Sequence, residues 1–500
     1  MYRQSYKSLR LVAHAQYLLE CTKMKMHVFL VILVALARVS VQGFDLFGSS
    51  RSLVNNFEDA RNYIETQKDK VIEEWSSYME DIKLSSSWTN FLEDKENPSL
   101  EDPDVVLSVP AMITRRGYRC ETHSLISQGY VLNIHRIPQA RSGGDTPSNT
   151  VILQHGLFAS SADWVLNGPG KSLAFVLADA GYDVWMPNIR GNRYSREHTT
   201  LKSSSTQYWN FSWHEVAQHD IPAIIDYIRE RKGSDTKIAY MGHSMGSTML
   251  FAMLALRPEY NAVLRAGLAL GPVVYLSHIK SPVKTLAPVV ANAARMNVIK
   301  NGEFVPKQSG FGQMMSACSS DDVDTYVCKN AIFFICGTDE KQFNKTLLPV
   351  FLSHLGTGTS MKTILHFAQE IDAAGRFQQF DYGPTNNMKI YNSETPPEYD
   401  LRKITLPIYL LYSRNDLLSS EQDVDKLYQD LETRTEIYLV PDPEFNHVDY
   451  LMANDAPRLL NDKVLQFLLA AFADHQGPDR HMGTRESVRQ YKASRKVLNT

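Results

Sequence analysis

Apolar positions along this chain change rhythm four times. Val28-Phe29-Leu30-Val31-Ile32-Leu33-Val34-Ala35-Leu36-Ala37 is one unbroken apolar block. Leu53, Phe57, Ile64 and Val71 then recur at helical spacing among Glu and Lys, which predicts a charged helical prologue over residues 44–105. From residue 106 to 275 short apolar runs alternate with helical stretches. The predicted strands are Val131-Leu132-Asn133-Ile134-His135, Val151-Ile152-Leu153-Gln154, Asp183-Val184-Trp185-Met186 and Ile238-Ala239-Tyr240-Met241, and a helix begins near Asp220. Such alternation predicts an α/β fold with a mostly parallel central sheet and helices on both faces. Residues 276–399 break the rhythm with scattered apolar positions such as Leu286, Phe304, Met314 and Phe333. Strand text returns at Leu406-Pro407-Ile408-Tyr409-Leu410-Leu411-Tyr412 and Glu436-Ile437-Tyr438-Leu439-Val440, so 400–474 completes the sheet begun before the break. An irregular insert between two halves of one sheet has the layout of a cap over a site; the alternative is an independent helical domain. Residues 475–500 are polar and basic, the pattern of a solvated disordered tail.

Composition narrows this picture. Five hundred residues, 43% of them apolar, suffice for one large domain with an insertion. A formal net charge of −3 gives no electrostatic reason to expect nucleic acid as a partner. Lys23 and Lys25 before the apolar block, and Val41 and Gly43 after it, form a signal-peptide pattern over residues 1–43. Residues 1–23 exceed what such a signal needs, and Met24 or Met26 is an alternative start. The block is too short to span a bilayer, so no transmembrane anchor is expected; the alternative is an apolar helix packed in the core. Cys120, Cys318, Cys328 and Cys336 remain after the signal, and their spacing matches no zinc site. In an oxidising compartment Cys318 with Cys328, which closes a small loop, is the favoured disulfide; the alternative is four buried thiols. Asn344-Lys345-Thr346 and Asn210-Phe211-Ser212 are glycosylation sequons. Asn344 lies in polar text, whereas Asn210 sits among Tyr208, Trp209, Phe211 and Trp213 and is expected to pack with them.

The chemistry centres on Gly242-His243-Ser244-Met245-Gly246, which follows a predicted strand and opens a helical stretch ending at Arg257-Pro258. Strand, Gly-x-Ser-x-Gly, helix is the nucleophile elbow of α/β-hydrolases, where the glycines permit a turn that projects the serine hydroxyl. A serine needs a base and a group that orients the base, in the chain order Ser, acid, His. Asp416, shortly after the strand ending at Tyr412, and His447, in the loop after the last strand, stand at those places. Asp442 suits a turn, Asp449 a helix start, His243 packing beneath the elbow, and His354 and His366 structural roles. For the oxyanion that forms on attack, the expected donors are the backbone N–H groups of Met245 and of Leu157, the latter in Gln154-His155-Gly156-Leu157.

These blocks carry a family resemblance. Leu153-Gln154-His155-Gly156-Leu157, Asn188-Ile189-Arg190-Gly191-Asn192, Phe211-Ser212-Trp213-His214-Glu215, Phe334-Ile335-Cys336-Gly337, Asn415-Asp416-Leu417-Leu418 and Phe445-Asn446-His447-Val448-Asp449-Tyr450 occur in order between about residue 104 and 465. Together they resemble the acid lipase family, which includes gastric and lysosomal acid lipases. The resemblance implies an α/β-hydrolase core with a helical cap and mobile lid, acting on neutral lipid esters, triacylglycerols or sterol esters, at a lipid–water interface. It also supports the Cys318–Cys328 bridge with Cys336 free. No cofactor or metal, a secreted or lysosomal location and a monomeric chain are expected as well. Met245 stands where the family carries Gln, and Pro187 and Ile189 replace small residues; these departures bear on substrate preference. The competing expectations are a non-enzymatic lipid carrier on the same fold and a short-chain carboxylesterase.

Overall fold

The computed structural model describes residues 102–295, 302–304, 332–373 and 375–473. The expected signal segment, the prologue to residue 101, the Cys318–Cys328 pair and the basic tail lie outside the described residues.

Nine strands form the main sheet. They are β1 (Glu121–Ser127), β2 (Tyr130–Ile137), β3 (Thr150–Gln154), β4 (Asp183–Pro187), β5 (Glu197–His198), β6 (Ile238–His243), β7 (Leu264–Leu270), β10 (Ile408–Tyr412) and β11 (Thr435–Leu439), while β8 (Glu303–Phe304) and β9 (Thr359–Ser360) pair separately. The sheet order is β1-β2-β4-β3-β6-β7-β10-β11, with β5 pairing beside β2. From β4 to β11 every pairing is parallel, and β1 and β2 add an antiparallel edge. All four sequence-predicted strands of the first half and both of the second are present. β1, β5 and β7 are not among the predicted strands: β1 alternates half-buried and exposed residues at a sheet edge, β5 is two residues long, and β7 contains Arg265 and Gly267 within an otherwise apolar run.

Side-chain alternation divides the core into two layers. Val151, Leu153, Ala239, Met241, Tyr409 and Leu411 face one layer with the helices Leu173–Asp179 and Asp462–Ala473. Ile152, Ile238, Tyr240, Ile408 and Leu410 face the other with Ile221–Lys232 and Met245–Leu256. Covering both faces is why β3, β4, β6 and β10 are buried along their full length. The chain leaves β3 towards β4 on one side, and later returns to place β6 on the other. That reversal opens a crevice at the carboxyl ends of β3 and β6, where open α/β sheets hold their ligands.

The described part of 276–399 is mainly helical, with Val283–Arg295, Leu348–His354, Met361–Asp372 and Pro384–Tyr391. It packs on the sheet-bearing part: His366 stacks on Trp213 at 3.9 Å, and Phe367 and Ile371 join Val273, Leu276 and Leu418. Among the described residues no helix is long and apolar enough to cross a membrane.

Candidate active site

β6 runs into the helix Met245–Leu256 through a single residue, Ser244, whose backbone lies at φ 54° and ψ −121°. A side-chain-bearing residue is rare there, and the neighbours hold it in place. A Cβ on Gly242 would sit 2.3 Å from the carbonyl carbon of Gly246, and one on Gly246 would sit 2.3 Å from the Gln154 carbonyl oxygen. Both positions therefore require glycine. The Ser244 N–H donates to Leu270 O at 3.1 Å, and its carbonyl accepts from the Ser247 hydroxyl at 2.5 Å. Ser244 itself is half-buried and directly follows the carboxyl end of β6.

Asp416 and His447 meet beside it. The His447 Nδ1–H donates to Asp416 Oδ2 at 2.7 Å. Asp416 Oδ1 accepts the N–H groups of Leu418 at 2.9 Å and Ser419 at 2.8 Å, so this fully buried carboxylate has its acceptors engaged. With the proton on Nδ1, Nε2 is the basic face of the ring, and it makes no hydrogen bond among the described residues. In the same structure no hydrogen bond joins Nε2 to Ser244 Oγ; such contacts are commonly loose until substrate binds. His243, the elbow residue before the serine, brings the two loops together: its Nε2 donates to the His447 carbonyl at 2.9 Å, and the two rings lie 4.8 Å apart. Burial first, and the neighbouring His447 second, hold the His243 imidazole well below its usual pKa, so it stays neutral and structural.

Three details were not legible in the sequence. Gly271, at φ 53° directly after β7, lies where a Cβ would come within 3.0 Å of Asp416 Oδ2 and 3.2 Å of His447 Nδ1. The Cys336 carbonyl accepts the N–H of both Leu417 (3.4 Å) and His447 (3.3 Å), tying the acid loop to the base loop. Asn415 Nδ2 completes that tie by donating to Thr338 O and Glu444 O, each at 2.7 Å. The available signal was Leu268-Ala269-Leu270-Gly271-Pro272, an apolar run stopped by Gly-Pro.

The loop after β3 faces the serine from the opposite side. A Cβ on Gly156 would lie 3.2 Å from the Ser244 Cβ. His155 is fully buried, and its Nε2 accepts the Ile189 N–H and an Asn192 side-chain N–H, each at 3.3 Å. Burial pushes its pKa down to about 4. Leu157 is half-buried; Met245 is buried in the apolar layer beneath the helix, and its N–H, first in that helix, lacks a carbonyl one turn back.

The remaining candidates take the places expected or differ as follows. Asp449 opens the helix Asp449–Met452 and accepts the Asn446 N–H at 2.7 Å, and His354 donates to Asp104 O at 2.8 Å. Cys120 and Cys336 are free thiols, the latter buried. Asn344 is half-buried and caps a turn, its Oδ1 accepting from the Thr346 hydroxyl at 2.8 Å. Asn210 corrects the sequence expectation: Tyr208, Trp209 and Phe211 are buried, but the asparagine between them is exposed, because the tight turn directs the aromatic rings inward and leaves its side chain outside. Among the described residues no group of three or more His, Cys, Asp or Glu could hold a metal ion.

Comparison with known proteins addresses the family of the chain. The α/β-hydrolase fold family matches residues 149–272, and the partial α/β-hydrolase lipase region matches 109–168. Lipase 1 of Drosophila melanogaster is 40% identical over 370 residues, covering 73% of this chain and 80% of the relative. Human gastric triacylglycerol lipase is 36% identical over 372 residues, covering 73% and 92%. The chain belongs to the acid lipase family of α/β-hydrolases. This lipase is thereby a carboxylic ester hydrolase. Rat gastric triacylglycerol lipase, at 35% identity over 373 residues, covers 73% of the chain and 93% of its own length. Among solved structures, a soluble variant of monoglyceride lipase from Saccharomyces cerevisiae aligns over 73% of this chain and 96% of its own at 15% identity, with a TM-score of 0.44.

Proposed function

We propose that this lipase hydrolyses neutral lipid esters, triacylglycerols or sterol esters, through an acyl-enzyme on Ser244. The observation that carries the reading is the 2.7 Å hydrogen bond from His447 to the buried Asp416, set beside a serine in an elbow conformation. Ser244 Oγ attacks the ester carbonyl carbon while His447 Nε2 takes its proton. The backbone N–H groups of Leu157 and Met245 receive the oxyanion, a contribution worth about 10²–10³ in kcat per donor in related chemistry. When the tetrahedral adduct collapses, the carbon–oxygen bond to the alcohol breaks and His447 returns the proton to the leaving alkoxide. Water then attacks the acyl-enzyme, giving its proton to the same nitrogen, and the fatty acid departs with Ser244 restored. Asp416 fixes the imidazole tautomer throughout.

Residues 276–399 act in this reading as a cap that supplies the acyl pocket and the lipid-facing surface. The signal pattern, the sequons at Asn344 and Asn210 and the Cys318–Cys328 pair go with a secreted or lysosomal glycoprotein. The relatives named as gastric triacylglycerol lipases support glycerol esters as a substrate class.

Ser244→Ala tests the assignment. Hydrolysis of emulsified long-chain esters should fall by about 10⁴-fold or more, with labelling by a fluorophosphonate abolished and folding unchanged. Hydrolysis retained by the variant overturns it. A wild type that turns over only soluble short-chain esters is instead a carboxylesterase, and one that binds lipid without turnover or labelling is a carrier.

A further inference from the structure

The loop carrying the Leu157 N–H is tied at both ends to the turn at 188–192. Its first residue, His155, is fixed to the turn at 188–192 through the two hydrogen bonds on Nε2. Past the loop, the Ser161 N–H donates to Asn188 Oδ1 at 3.0 Å. Between these anchors Phe158 adopts φ 61°. A bulky side chain seldom occupies that left-handed region, and it persists only where surroundings over-determine it.

The surroundings come from a part of the chain some two hundred residues later. The N–H groups of Gly356 and Thr357 both donate to the Phe158 carbonyl, at 2.8 and 3.2 Å. The Thr357 hydroxyl donates to the next carbonyl, that of Ala159, at 2.8 Å. The turn can approach because Gly356 and Gly358 take φ 76° and 85° as it leaves the helix Leu348–His354. Directly afterwards β9 pairs with β8, whose Phe304 ring lies 5.5 Å from the Phe158 ring. With His155 and Phe158 both immobilised, only Gly156 and Leu157 remain between them, and Gly156 already abuts Ser244.

We propose that Thr357 is a positioning residue for the oxyanion hole: its hydroxyl and backbone, with the Gly356 N–H, hold Phe158 in the left-handed conformation that aims the Leu157 N–H at the reacting carbonyl. The inference rests on the reading of Ser244 as nucleophile and Leu157 as donor. It makes the 356–357 turn part of catalysis, without any contact between Thr357 and substrate.

Thr357→Val removes the hydroxyl and keeps the shape, and Thr357→Ser restores it. Steady-state constants would be measured on a soluble p-nitrophenyl ester, together with inhibition by an alkyl trifluoromethyl ketone. That probe forms a hemiketal with the nucleophile and places its oxyanion in the hole. Thr357→Val is expected to lower kcat about 10- to 100-fold, less than loss of a donor outright, with KM within about twofold. The ketone's inhibition constant should rise by a similar factor, and Thr357→Ser should restore both. Thermal unfolding and fluorophosphonate titration of active sites separate this from partial misfolding. Wild-type kcat and wild-type ketone inhibition in Thr357→Val overturn the inference while leaving Ser244 in its role. So does a kcat loss matched by the loss of titratable sites. A wild type that neither hydrolyses the ester nor reacts with the probes overturns the underlying reading as well.

Discussion

Two regions of this lipase achieve close packing by opposite means. On the catalytic floor, backbone meets backbone: Gly242 and Gly246 leave no room for a methyl group, and Gly156 and Gly271 press against the serine and the acid–base pair. Where the segment 360–378 packs onto the sheet-bearing part, polar side chains make the join. His366 stacks on Trp213, its Nδ1 meets Ser212 Oγ at 3.0 Å, and its Nε2 donates to Gln378 O at 3.1 Å. Glu215 accepts from Lys362 Nζ at 2.6 Å and from the Ser212 N–H at 2.6 Å, closing a capping box at the helix start. Burial, the largest single influence, would raise the Glu215 pKa, but the Lys362 ammonium, His214 and the Ser212 N–H together outweigh it and hold it at about 2. The floor tolerates no added volume; the join tolerates no unpaired charge.

The floor gives the larger expected effect. Gly246→Ala pushes a methyl group into the Gln154 carbonyl, where only backbone movement relieves the 2.3 Å approach. Loss of about 3 kcal/mol or more in urea unfolding is expected, with fluorophosphonate labelling lost in whatever folds. Gly302→Ala, which meets nothing within 4 Å among the described residues, is the matched control and should be near neutral. Equal stability of the two variants would remove the contrast between the regions.

At the join, charge matters more than volume. Lys362→Met keeps the stem and strands Glu215, and should cost about 3 kcal/mol, the low end for a broken buried pair because Glu215 retains 20% side-chain exposure. Adding Glu215→Gln should recover part of that cost, since no uncompensated charge then remains. A double variant as unstable as the sum of the singles would mean that the two residues act independently.

The same contrast explains what the sequence disclosed. Glycine-bounded turns, apolar strand runs and the order Ser244, Asp416, His447 are local or ordinal signals, and the floor is built from them. β7 escaped notice because Arg265 and Gly267 interrupt its apolar text, and with it went the hub at Gly271. The join depends on pairings such as Ser212 with His366 and Glu215 with Lys362, about 150 positions apart. No periodicity encodes those partners. Asn210 misled for a related reason: sequence proximity to aromatic residues says nothing about which side of a turn each residue takes.

A third contact, behind His447, combines both modes and should respond to pH with a smaller effect. Asp339 accepts the Gln342 N–H at 2.9 Å and is almost fully buried, near Asp449 and Asp442. Burial chiefly, then the neighbouring Asp442 and Glu444 charges, push its pKa up to about 6, and burial with Asp339 beside it raises Asp449 well above the usual carboxylate range. Both shifts mean that the fold holds these protons more tightly than the unfolded chain does. The stabilising contribution of Asp339 is therefore complete at acid pH and is lost as pH climbs from about 4 through about 6. Asp339→Asn imitates the protonated form and keeps the Oδ1 acceptor. It should flatten that part of the stability profile, by on the order of 1 kcal/mol between pH 4 and 7 measured by urea unfolding. An unchanged slope would place the pH response elsewhere, and would leave Asp339 acting on the base loop through the shape of its contacts rather than through its proton.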